Sequence, residues 1–139
     1  MSSKRQIIKA DVIAALKTIA GVATVTDKWH RFDEVESSRM PFLMVISNKE
    51  TRNSVNSQRD TECEWLVDVW AYLNETHDSE AWVELVRAKI MTDRSRGTTG
   101  GSPNALDTFI PKITNDNAGL ASPGSVFLMT VRVTYRVRE

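Results

Sequence analysis

Residues 61–74 read TECEWLVDVWAYLN, and the alternation inside this stretch decides the fold. Cys63, Trp65, Val67, Val69, Ala71 and Leu73 share one parity and form an unbroken apolar row. This is the period-two signature of a strand with one face on a core. Glu62, Glu64, Leu66, Asp68, Trp70 and Tyr72 share the other parity and mix acids with aromatics. The closing run SVFLMTVRVTYRVRE, residues 125–139, repeats the design. There Phe127, Met129, Val131, Val133, Tyr135 and Val137 alternate with Leu128, Thr130, Arg132, Thr134, Arg136 and Arg138. Two such strands predict a sheet with one apolar face and a second face that carries acids on one strand and arginines on another.

Working outward, FLMVISNKETRN from Phe42 begins apolar on both parities, as a central strand does, and turns polar toward Arg52. SVNSQRD then reverses the chain, so a hairpin is predicted with an apolar base and a polar, projecting tip at residues 50–61. The β-branched and aromatic content of residues 22–32 predicts a further strand. VESSRMP, with Ser37, Ser38 and Pro41, reads as a loop. Ile8, Val12, Ala15, Leu16 and Ile19 recur at helical spacing and predict a helix over residues 3–20, capped by Ser2 or Ser3 and stopped by Gly21. A second helix is predicted over residues 79–92, capped by Thr76 or Asp78. Its apolar face holds Trp82, Leu85, Val86 and Ile90, with the Lys89 stem along the edge.

DRSRGTTGGSPN, residues 93–104, reads as a polar, flexible loop. LDTFIPKIT, residues 106–114, reads as a short strand that Pro111 confines to an edge or a bulge. NDNAGLASPG then turns the chain into a final strand over residues 125–138. The order α, β, β, β, α, β, β predicts an α+β fold. Its two-layer sandwich has a mostly antiparallel sheet of about five strands with two helices packed on one face, in one domain over residues 1–139.

Composition narrows the function classes. Lys plus Arg and Asp plus Glu both total 18 in 139 residues, so no overall basic field gathers nucleic acid. Cys63 is the one cysteine; it cannot form an internal disulfide, and its apolar parity predicts a small buried hydrophobe. Lys9 and Asp11 interrupt what would be the apolar centre of a signal peptide, and no apolar run approaches the roughly 18 residues that span a bilayer. Neither export nor membrane insertion is expected, and folding in the cytosol is.

Catalytic chemistry finds little purchase. His30 and His77 are far apart, and neither has a second His or Cys at zinc-ligand spacing. GTTGGS follows a helix instead of joining a strand to one, so it is no phosphate loop. Asp60, Glu62, Glu64 and Asp68 on one strand face are the densest acidic cluster and keep a metal-dependent nuclease among the alternatives. No lysine or histidine is marked out to complete such a site, and neither a metal nor another cofactor is expected. The second sheet face leaves two readings open. One is a solvated face in which Glu64 or Asp68 pairs with the arginines. The other is an interface, where Trp, Tyr and Arg are enriched and opposed charges set the register. The interface reading singles out Glu62, Glu64, Asp68, Trp70, Tyr72, Arg132, Arg136 and Arg138. Arg52, Asn56, Arg59, Arg94 and Arg96 are expected in flexible segments that order on docking.

The layout resembles a family over nearly the whole chain: the tail terminator proteins of long-tailed bacteriophages, also called minor tail protein U-like or tail completion proteins. The segments that carry the likeness are ALKTIAGVATV ending the first helix, MPFLMVIS, EWLVDVWAYL, EAWVELVRAKIM and VFLMTVRVTYRVRE. The resemblance implies a non-catalytic virion protein that forms a hexameric ring on the end of the tail tube. It further implies that the ring stops tube polymerisation, gives the head connector a docking surface and leaves a channel for genome DNA. A different neck component, a head-to-tail connector or stopper, is the nearest alternative.

Overall fold

The computed structural model describes residues 4–54, 60–99, 101–115 and 124–138. The expected cap at Ser2 or Ser3, the hairpin positions Asn56 and Arg59 and most of the turn before the last strand lie outside the described residues. Helix α1 (Lys4–Lys17) leads into a three-residue strand β1 (Thr24–Thr26), and strands β2 (Phe42–Ser54) and β3 (Asp60–Leu73) follow. After helix α2 (Ser79–Met91) come a two-stranded ribbon, β4 (Thr98–Thr99) with β5 (Ser102–Pro103), and strands β6 (Asp107–Asn115) and β7 (Ser125–Arg138). The main sheet has the order β1-β2-β3-β7-β6. β1 runs parallel to β2, and every other neighbour is antiparallel. The fold is α+β, as the alternation predicts.

Both helices cover one sheet face. α1 sets Ile8, Val12 and Leu16 on the core, one every four residues, with Ile19 just beyond its end. Beneath them lie Leu43 and Val45 of β2, all six residues of the 63–73 parity, and Phe127, Met129, Val131, Val133 and Tyr135 of β7. Asp78 caps α2 by accepting from the amides of Glu80 and Ala81. The apolar face of α2 is turned slightly from the expected one: Val83 is buried with Trp82, Val86 and Ile90, while Leu85 is 46% exposed.

Two other expectations are corrected. The strand expected over residues 22–32 stops at Thr26, whose hydroxyl accepts from the Lys28 amide and bends the chain out of the ladder. The following residues make two 3-10 turns, Phe32–Glu34 and Ser37–Arg39, and lie across the opposite sheet face. There Phe32, Val35 and Met40 close over Phe42, Met44, Tyr72 and Val126 as a second, smaller core. The aromatic content that suggested a strand is spent on this cover, and it explains why β2 starts apolar on both parities. The described residues of the loop expected to be flexible at 93–104 are instead stitched to their surroundings. Asp93 accepts from Ser95 and from the Gly97 amide, the Asn104 side chain donates to the Arg96 carbonyl, and Arg94 grips Asp107 through two hydrogen bonds at 2.6 and 2.9 Å.

Pro111 sits where the β6 register shifts, on an edge strand, so both of its expected placements hold. A second bulge in β2 between Ser47 and Lys49 turns Asn48 toward Asp68.

Candidate subunit interface

The outer sheet face, opposite the helices, is assembled by strand register. Glu62 stands across from Arg136, Glu64 from Thr134, Leu66 from Arg132, Asp68 from Thr130 and Trp70 from Leu128. Asp60 and Arg138 close the same ladder. The acids of β3 and the arginines of β7 therefore form adjacent rows about 4.8 Å apart. Glu64 and Arg136 are exposed, and Glu62, Leu66, Asp68, Leu128 and Arg132 are half-buried. Among Glu62, Glu64, Asp68, Arg132 and Arg136 no ion pair joins the two rows. The pairing of Glu64 or Asp68 with these arginines, one of the two open readings, is thus not found. Asp68 is engaged by the Asn48 amide at 3.1 and 3.2 Å, and the Arg132 guanidinium lies over the Phe109 ring at 5.2 Å.

The aromatics divide differently than expected. Tyr72 is only 3% exposed, beneath Phe32, and its hydroxyl donates to the His30 carbonyl at 2.6 Å. Burial pushes its phenol up to about 12, with Glu34 and Asp33 adding to the shift. Tyr72 is accordingly an anchor for the cover and offers nothing to a partner. Trp70 is half-buried against the edge of Trp29, at 5.2 Å between ring centroids. Trp29 in turn is 51% exposed, and Phe109 is 44% exposed. Sequence reasoning missed both: Trp29 was read into a strand, and the bulge at Pro111 obscures the parity of Phe109.

Of the residues expected to dock through flexible segments, the three that are described, Arg52, Arg94 and Arg96, are held. Arg52 lies within β2, paired in register with Cys63, and its guanidinium meets Glu50 at 3.2 Å. Arg94 is fixed on Asp107. Arg96 is 1% exposed and donates to the carbonyls of Ile90 and Asp93, closing the end of α2 from inside. Its burial removes it from any docking surface.

On the helix side of the strand tips, Glu50 accepts from the Tyr135 hydroxyl and faces Arg52 and Arg5. Trp65 donates to Ser47 at 2.9 Å under the Arg5 guanidinium. Burial works against ionising Glu50, but Tyr135 and Arg52 outweigh it and hold the carboxyl below its ordinary value of 4.5. A folded value below the unfolded one means stability that is complete above about 4.5 and lost as pH falls through the folded value. Glu50→Gln is expected to cost about 1–2 kcal/mol at neutral pH. In urea melts run from pH 7 to pH 3, that difference from the parent should shrink toward the acid end.

Among the described residues no group of three or more His, Cys, Asp or Glu is placed to hold a metal ion. His30 packs edge-on against Phe42 and His77 against Trp82, each within its own apolar contact. Among the described residues no helix is long and apolar enough to cross a membrane. Neither a protein-family model nor a curated protein matches the chain.

Proposed function

We propose that the chain is a structural subunit of a phage neck, a tail terminator that assembles as a hexameric ring on the end of the tail tube. The observation that carries the reading is the outer sheet face. The helices leave it uncovered, residues 32–40 close over only its Phe42, Met44, Tyr72 and Val126 end, and on the open remainder Leu66, Trp70 and Leu128 stand among acids and arginines sorted onto separate strands. Such a face suits a protein neighbour, because opposed charges set register at an interface while buried apolar groups supply the affinity. Its balanced charge suits nucleic acid poorly, so genome DNA would pass the ring without sequence-specific contacts. In this role the ring ends tube growth at the tail–neck junction of the virion, after assembly in the host cytoplasm. It presents one rim to the tube protein and the other to a head connector or stopper.

The resemblance in layout adds the ring and its place in the virion. Electron microscopy of the purified protein, alone and with isolated tail tubes, tests the proposal: rings on tube ends are expected. Attachment to DNA-filled heads and not to tubes would transfer the protein to the stopper class. Arg136→Glu, at an exposed position, is expected to leave the subunit folded and to weaken ring assembly about tenfold. An unchanged light-scattering profile would count against the role of this face.

A further inference from the structure

The fold leaves a second surface uncovered, on the helix side, away from the open part of the outer sheet face. Along α2, Ala81, Leu85 and Ala88 are all exposed and fall on one stripe. Leu85 joins Ala20, Ala88 and Thr92 in lining a shallow concavity beside the end of α1. The small side chains let another element approach the helix backbone closely. The charges flanking this stripe are sorted too. Glu80 and Glu84 lie in the first half of α2 and Arg87 and Lys89 in the second, with Glu84 and Arg87 meeting at 3.6 Å as an exposed pair that a stronger partner can displace.

We propose that the outer stripe of α2 in one copy packs on the outer sheet face of the next copy, head to tail. This rests on the ring reading above and names its contact. The helix crosses the strands with Glu80 and Glu84 toward the β7 row of Arg132 and Arg136, and with Arg87 and Lys89 toward Glu62 and Glu64 on β3. Leu85 meets Leu66, which lies between the Glu62/Glu64 and Arg132 positions of the ladder, and an exposed aromatic such as Phe109 has the concavity beside α1 to enter. Both surfaces balance their charge, so each complements the other better than it would a polyanion. The two patches differ and sit on opposite layers of one subunit. That is the requirement for a heterologous contact, in which every copy both gives and receives. Helix on sheet is also the packing the subunit already uses internally.

Complementation between two disabled variants tests the contact. Leu85→Glu removes the helix patch, and Leu66→Glu removes the centre of the sheet patch while placing an acid beside Arg132 and Lys49, where it is tolerated. Each alone is expected to self-associate about thirtyfold more weakly than the parent in analytical ultracentrifugation. An equimolar mixture should form a dimer and stop there, since only one sound helix and one sound face remain between them. Ala88→Arg with Arg136→Glu, both at exposed positions, repeats the test without touching the core. If the parent forms rings and neither mixture dimerises, this contact is overturned while the ring stands. Variants that assemble as the parent does would overturn it as well. If the parent forms no rings, alone or on tail tubes, the ring reading itself falls and this contact with it.

Discussion

Arg96→Ala is expected to destabilise the subunit by about 3–5 kcal/mol, the cost of breaking a buried charged contact from one side. The guanidinium is buried, 3.5 Å from the Asp11 carboxylate, and it donates to two carbonyls at the end of α2. Removing it strands those carbonyls in the interior and leaves Asp11 with less to offset its own desolvation. Burial already pushes the Asp11 carboxyl above its usual range, against the pull of Arg96 and with a further push from Asp93. The loss therefore falls on α1, on α2 and on the turn that joins α2 to β6. Asp11→Asn should cost less, because Arg96 keeps its two carbonyl acceptors, although the buried guanidinium loses its counter-charge. Urea denaturation of both variants separates the two effects. A loss under about 1 kcal/mol for Arg96→Ala would mean that the guanidinium is solvated and the carbonyls find other donors.

Gly124→Ala is expected to cost about 2–3 kcal/mol and to lower Tm by roughly 10 °C. Gly124 takes φ +153°, and a Cβ there would lie 2.5 Å from the Leu73 carbonyl oxygen and 2.8 Å from the Phe32 ring. The backbone oxygen cannot retreat without pulling β3 from β7, so Phe32 cannot relieve the clash alone. Gly101 is the control: its φ is +82°, but a Cβ there meets nothing within 4 Å, so alanine pays only the backbone penalty. Thermal melts showing equal losses at the two glycines would remove the packing argument. Because Phe32 belongs to the cover over Tyr72, the Gly124 variant should also raise tyrosine accessibility on the outer face.

These two residues mark where the sequence could be read and where it could not. Period two on residues 62–73 and 125–138 specifies the strands, their buried parity and their neighbouring charge rows, because a half-buried strand must alternate whatever packs on it. The helices were legible for the same reason, although Val83 and Leu85 exchange places through a small rotation that spacing alone does not resolve. The cover at residues 29–40 was not legible: aromatic residues crossing a sheet face and aromatic residues within a strand have the same composition. Nor was Arg96, since a polar loop rich in glycine gives no sign that one arginine turns inward to close a helix. On the outer sheet face the charge rows followed from parity. Tyr72 was misassigned because parity states which face a residue is on and says nothing of what covers that face.

The chain carries one thiol, Cys63, wholly buried on the core side of β3. A thiol reagent meets it only in molecules where the central strands have parted, so labelling proceeds at the pace of that opening. The chain thereby holds a built-in clock for its own unfastening, one that needs no dye, tag or mutation. Read in the free subunit and again in the ring proposed above, the same clock would report how firmly neighbours hold each sheet shut.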